Sequence, residues 1–219
     1  LNLYCIPGFG VDERIYGNLS VGDVRLCFLN WLEPEPGETL NAYARRMAEG
    51  IHEEDAVLVG ISFGGMVALE IAGFRSIRKV ILISSIKQRS EMPWHMRLAG
   101  LLRLNRVFPV RKIQQSDLAF KIANRRLGAN TKDEQEFANT YRKTAKLHYV
   151  NWSFDQILNW RNTAGFKNVV QIHGDRDRIF PIKNIAPDYI IKGGTHMMVW
   201  NRAAEISAII KRVLDTAGL

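Results

Sequence analysis

Val57-Leu58-Val59-Gly60-Ile61-Ser62-Phe63-Gly64-Gly65-Met66-Val67 sets a serine in a G-x-S-x-G pattern, with an apolar run before it and a helical pattern after it. A strand that turns sharply into a helix would hold the Ser62 hydroxyl exposed at the turn, and the flanking glycines leave room for that geometry. The start of the helix would add a positive dipole end and the free backbone N–H of Phe63, both suited to a developing oxyanion. A serine hydroxyl is a poor nucleophile without a base, and the base needs a partner that fixes its tautomer. Candidates for both lie downstream. His173-Gly174-Asp175-Arg176-Asp177-Arg178-Ile179-Phe180-Pro181 follows an apolar run and offers two carboxylates, while Lys192-Gly193-Gly194-Thr195-His196-Met197-Met198 puts an imidazole in a glycine-rich loop. Among the other histidines, His52 follows a helix, His95 and His148 fall in a long helical stretch, and His173 ends a strand, where a packed, hydrogen-bonded ring is the ordinary outcome.

The elements that must position these groups are readable from periodicity. Asn2 to Ile6, Val24 to Leu29, Ala56 to Gly60, Lys79 to Ile83, Asn168 to Ile172 and Tyr189 to Ile191 are short, apolar and rich in β-branched residues, which predicts buried strands. Helical patterns cover Leu40 to Ile51, with Thr39 as N-cap, Gly65 to Ala72, and Ala203 to Leu214. Strands alternating with helices predict an α/β fold, a mostly parallel, doubly wound sheet of about six strands. The alternation stops after Ser85. From there to Thr163 only helix-like stretches occur, among them Met96 to Leu104, Leu118 to Leu127 and Asp133 to Tyr149. The expected organisation is a core of residues 1–85 and 164–219 with a helical cap or lid, 86–163, inserted between two strands. The cap residues Trp94, Met96, Leu98, Leu101, Leu102, Leu104, Val107 and Phe108 serve either a substrate pocket or packing within the cap.

The 219 residues are 47% hydrophobic and 24% charged, the make-up of an ordinary globular domain. No apolar run is long enough to span a bilayer. The opening Leu1 to Ile6 lacks the charged start and cleavage site of a signal peptide, so the expected location is the cytoplasm. Cys5 and Cys27 lie in strand-like runs with no Cys or His at metal-ligand spacing, and are read as buried free thiols. No HExxH pattern or phosphate-cradling glycine loop is present, and the chemistry above needs neither metal nor organic cofactor. The net charge of +8 is uneven: Ile86 to Thr163 carries 15 Lys and Arg against 6 Asp and Glu, and the remainder 15 against 16. A solvated helical face, an anionic substrate, an acidic partner or a membrane surface would each account for it.

The order Ser, Asp, His on successive strand ends resembles that of the α/β-hydrolases, over nearly the whole chain. The resemblance implies that Asp177 is the acid, since Gly174, Asp177 and Pro181 match the family's G-x-x-D-x-x-x-P stretch, leaving Asp175 as a turn residue. It also implies that Ile6-Pro7-Gly8-Phe9-Gly10 is the oxyanion loop, with the Phe9 N–H as second donor beside Phe63. Pro7 stands where the family usually shows His. Asp12 and Arg14, in a stretch similar to the start of small bacterial members, are expected to brace this loop. By the same resemblance the two strands that precede the first one in larger relatives are expected to be absent, which gives a reduced sheet.

The activity so implied is hydrolysis of a small-molecule ester or thioester, neutral or anionic, through an acyl-enzyme on Ser62. Two alternatives stand beside it. One is a non-catalytic ligand-binding protein on the same fold. The other is a lipid esterase held at a membrane surface by the basic, amphipathic stretch Pro93 to Arg106, which includes Arg97 and Arg103. No nucleic-acid partner is expected, and oligomeric state is left open.

Overall fold

The computed structural model describes residues 1–104, 110–162 and 165–218. Its sheet has six strands in the order β2-β1-β3-β4-β5-β6: β1 (Asn2–Ile6), β2 (Arg25–Phe28), β3 (Ala56–Ile61), β4 (Ile77–Ile83), β5 (Val169–Gly174) and β6 (Tyr189–Ile191). Every pairing is parallel. The predicted class and strand number are those observed.

Successive side chains of a strand point to opposite faces, and the core divides accordingly. Tyr4, Ile6 and Leu58 face α1 (Leu40–Ala48) and α2 (Phe63–Ala72) on one side. Leu3, Cys5, Val57 and Val59 face α8 (Met198–Asn201) and α9 (Ala203–Thr216) on the other. Covered on both faces, β3 is buried along its whole length, which is why its sequence is continuously apolar rather than alternating. Thr39 caps α1, its hydroxyl accepting from the Ala42 N–H. Cys5 is a buried free thiol, but Cys27 is only half-buried, because β2 is an edge strand.

Between β4 and β5 the chain forms α3 (Trp94–Leu101), α4 (Val110–Ile113), α5 (Asp117–Leu127), α6 (Lys132–Thr144) and α7 (Leu147–Asn159). The stretch Asp133 to Tyr149, expected as one helix, is two. Ala145 and Lys146 are extended, and the Gln114 amide donates to the carbonyls of Arg142 and Ala145, which supplies donors that the end of α6 lacks. Likewise α3 ends at Leu101 rather than at Leu104. The expected boundary at Thr163 and Ala164, and the residues Arg106, Val107 and Phe108, lie outside the described residues.

The inserted segment is anchored to the sheet domain through α7. The Trp152 ring lies 4.4 Å from that of Tyr43, its Nε1 donates to the Glu38 carbonyl, and Gln156 accepts from the Leu40 N–H. Among the described residues, no helix is long and apolar enough to cross a membrane.

Candidate active site

Ser62 sits between the last residue of β3 and the first of α2, with φ 51° and ψ −116°. A non-glycine residue pays conformational strain of about 1–3 kcal/mol there, and it holds because its surroundings leave no alternative. A methyl group on Gly60 would lie 2.5 Å from Gly65 Cα, and one on Gly64 would lie 2.3 Å from the Pro7 carbonyl oxygen. Both glycines of the pentapeptide are thus fixed by close backbone approach.

Asp177 and His196 reach this turn from the ends of β5 and β6. His196 Nδ1 lies 2.7 Å from Asp177 Oδ2, and Nε2 lies 2.9 Å from Ser62 Oγ. An ionised carboxylate only accepts, so Nδ1 carries the proton and Nε2 is left to accept from the serine hydroxyl. Asp177 is buried, and its other oxygen accepts the N–H groups of Ile179 and Phe180. Burial alone would raise its pKa, but the charge and hydrogen bond of His196, with smaller help from His173 and the Phe180 N–H, hold it below the ordinary carboxylate value. Asp175 does not join the group; it accepts from the Gly193 N–H at 2.6 Å as a turn residue. His52, His95 and His148 are exposed. His173 is buried against the acid, its Nε2 2.7 Å from the Phe180 carbonyl oxygen and 3.5 Å from Asp177 Oδ2.

The loop after β1 borders the serine, since a methyl group on Gly8 would lie 3.6 Å from Ser62 Cβ. The Phe9 N–H has no acceptor among the described residues, and the Phe63 N–H, at the start of α2, is one of the donors that a helix leaves unpaired. The bracing of this loop is elaborate. Asp12 accepts from Arg14 Nε and Nη2, from the Arg14 N–H and, at 2.6 Å, from the Tyr141 hydroxyl of α6. Trp31 Nε1 donates to the carbonyls of Gly8 and Val11. Sequence reasoning found Asp12 and Arg14 but missed Trp31 and Tyr141, which approach from distant parts of the chain without a local signal.

A cleft of about 330 Å³ lies beside the site, lined by Trp31, Leu32, Glu33, Lys146 and Tyr149. Ser62 is not part of its lining, but the two are joined through aromatic contacts: Tyr149 stacks on Phe9 and Trp31 on Phe63. Among the described residues no group of three or more His, Cys, Asp or Glu is arranged to hold a metal ion.

The sequence profile of the alpha/beta hydrolase family matches residues 3–209, and the chain belongs to that family. Its fold is similar to that of an esterase from Thermogutta terrifontis, with a TM-score of 0.73 and 15% identity over 99% of this chain and 90% of the other. An esterase from Exiguobacterium antarcticum gives 0.74 and 15% over 97% and 91%. A bromoperoxidase from Bacillus anthracis gives 0.71 and 15% over 98% and 91%. At these identities the likeness is one of fold. No curated protein sequence matches the chain.

Proposed function

We propose that this protein is a serine hydrolase that cleaves an ester or thioester of a small molecule through an acyl-enzyme on Ser62. The observation that carries the reading is the continuous hydrogen-bonded line from Ser62 Oγ through His196 to Asp177. In this scheme His196 Nε2 takes the hydroxyl proton as Ser62 Oγ attacks the carbonyl carbon. The N–H groups of Phe9 and Phe63 stabilise the oxyanion, and Asp177 stabilises the imidazolium. His196 then gives its proton to the departing alkoxide or thiolate, and afterwards takes one from the water that releases the acid. The inserted helices, 86–163, act as the cap, with the cleft at Trp31 and Tyr149 as the entry for one arm of the substrate.

Intact-mass detection of fluorophosphonate labelling tests the proposal. Native protein should take up one label, Ser62→Ala none, and Asp177→Asn and His196→Ala far less. A folded native chain that stays unlabelled by probes small enough to pass the cap would favour the ligand-binding reading.

A second reading, that the cap also docks on an anionic lipid surface, is favoured by the outer face of α3. Trp94, Leu98, Leu101 and Leu102 fall at helical spacing and are exposed, Trp94 at 68% and Leu101 at 73%, while the opposite face packs on α7 through Gly100. Arg97 and Arg103 flank this stripe, and Arg111 and Lys112 are exposed on α4, which also packs on α7. Among the described residues the cap contributes Lys146 as the cation lining the cleft, and it is paired with Glu33 at 2.7 Å. Sedimentation with vesicles containing phosphatidylserine should remove the native protein from solution at low salt but not an Arg97→Gln, Arg103→Gln, Trp94→Ala variant. Equal recovery of both would end this reading.

A further inference from the structure

The peptide unit that offers the Phe9 N–H carries, at its other side, the Gly8 carbonyl, and the unit that offers the Phe63 N–H carries the Ser62 carbonyl. In a trans peptide these two groups point in opposite directions within one plane, so fixing the carbonyl fixes the direction of the N–H. Each carbonyl accepts a hydrogen bond from a side chain. Trp31 Nε1 donates to the Gly8 oxygen at 3.1 Å, and the Ser85 hydroxyl donates to the Ser62 oxygen at 2.6 Å. The backbone contributes one further bond to each, from Val11 N–H at 3.3 Å and from Gly65 N–H at 3.0 Å. Donation to a carbonyl also polarises its amide, which makes the N–H on the same unit a better donor.

Each side chain is placed for this role. Trp31 bridges the Gly8 and Val11 carbonyls while its ring stacks on Phe63 at 5.3 Å, so one residue touches both donor segments. Ser85 is fully buried just beyond β4, and the residue facing it must be glycine, because a methyl group on Gly65 would lie 2.3 Å from Ser85 Oγ. We infer that Trp31 and Ser85 are positioning residues for the two oxyanion donors, Trp31 acting through the Gly8–Phe9 peptide and Ser85 through the Ser62–Phe63 peptide. In this protein the indole thereby braces a loop in which Pro7 has no side-chain donor. The inference rests on the acyl-enzyme reading above.

Trp31→Phe keeps an aromatic ring, though a smaller one, and removes the N–H; Ser85→Ala removes only the hydroxyl. On p-nitrophenyl acetate each variant should lose about tenfold in kcat with KM within about twofold, since the donors act on the tetrahedral species more than on the bound ester. Phenylboronic acid, whose serine adduct places an oxygen at the same donors, should bind each variant about tenfold more weakly. Because Trp31 stacks on Phe63 and both donors serve one oxyanion, the two losses are coupled, and the double variant should lose more than either single variant without the factors simply multiplying. A merely structural role would lower the melting temperature and leave boronate affinity and the kcat-to-KM split unchanged, and that result would overturn the inference. So would native kcat in both variants when native protein accepts the fluorophosphonate. Absence of native labelling and turnover would instead remove the acyl-enzyme reading on which the inference stands.

Discussion

His173 Nε2 lies 3.5 Å from Asp177 Oδ2, the same oxygen that accepts from His196 at 2.7 Å. The His173 ring is fully buried, donates to the Phe180 carbonyl and, among the described residues, has no partner at Nδ1. A neutral ring therefore packs against the acid, fixing the turn from Asp177 to Phe180 from inside the sheet.

That arrangement predicts a pH dependence of stability. Burial pushes the His173 pKa below its ordinary 6.5, against the opposing pull of the Asp177 charge and the Phe180 carbonyl. At pH values near and below 6.5 the unfolded chain binds this proton more readily than the folded one, so stability from the group is intact above 6.5 and is lost as the pH falls towards the folded value. Asp177, held below 3.8, has the same sign at lower pH: its contribution is present above 3.8 and lost as the pH falls through the depressed value. In His173→Gln the amide can still donate to Phe180 but no longer titrates. The melting-temperature advantage of the native protein over this variant should shrink between about pH 7.5 and 5.5. An advantage constant over that range would show that His173 does not take up a proton on unfolding.

Strain at Ser62 predicts an unequal pair of substitutions. Ser62→Ala and Ser62→Gly both remove the hydroxyl, but only glycine adopts φ 51° without a steric penalty. Urea unfolding should find Ser62→Gly more stable than Ser62→Ala by about 1 kcal/mol, despite the greater freedom of glycine in the unfolded chain. The reverse order would mean that the turn relaxes when Oγ is lost.

Tyr141 ties α6 to the loop after β1 through Asp12, while Arg14 lies over its ring at 4.8 Å. Tyr141→Phe keeps the ring contact and deletes one hydrogen bond to a partly exposed carboxylate, a loss of about 1 kcal/mol. Limited proteolysis should then cut within α4 to α6 faster than in the native protein. Unchanged cutting rates would show that the other contacts of α6, among them Glu134 with Asn201 and Phe137 with Trp200, hold these helices without the Tyr141 hydroxyl.

The two thiols should react unequally. Burial pushes the Cys5 thiol far above its ordinary pKa, with a smaller contribution from Cys27, whereas Cys27 is partly open on the edge strand. Ellman's reagent should titrate Cys27 in the folded protein and Cys5 only after denaturation; Cys27→Ser should abolish the early phase. Rapid reaction of Cys5 in the folded protein would contradict its burial.

Much of this was legible in the chain because the signals are local. Ala56 to Ile61 is apolar without alternation because helices cover it on both sides, and the glycines beside Ser62 mark a turn that other residues cannot enter. The resemblance to the family's G-x-x-D-x-x-x-P stretch, carried by Gly174, Asp177 and Pro181, implied Asp177 rather than Asp175, and the structure sets Asp177 on the histidine and Asp175 on the Gly193 N–H. What escaped the sequence depends on contacts between distant segments. The helix expected through Ala145 breaks without proline or glycine, because Gln114, some thirty residues earlier, satisfies its end. Ser85 marked only the point where the alternation of strands and helices stops, and its hydrogen bond to the Ser62 carbonyl crosses from one strand end to the next. Trp31 carried no motif at all.

The insertion between β4 and β5 bears on how such a protein can change over generations. Val169, the first residue of β5, pairs with Val80 in the very strand that the helices have just left. The chain thus rejoins the sheet beside the strand it left, and closing a longer excursion adds little entropic cost. Ser62, Asp177 and His196 follow β3, β5 and β6 and lie outside the inserted helices, so a change of those helices alters none of the three. A graft from a relative has to bring counterparts not only of Trp152 and Tyr141 but also of Gln156, Glu134 and Phe137, which meet Leu40, Asn201 and Trp200 outside the segment.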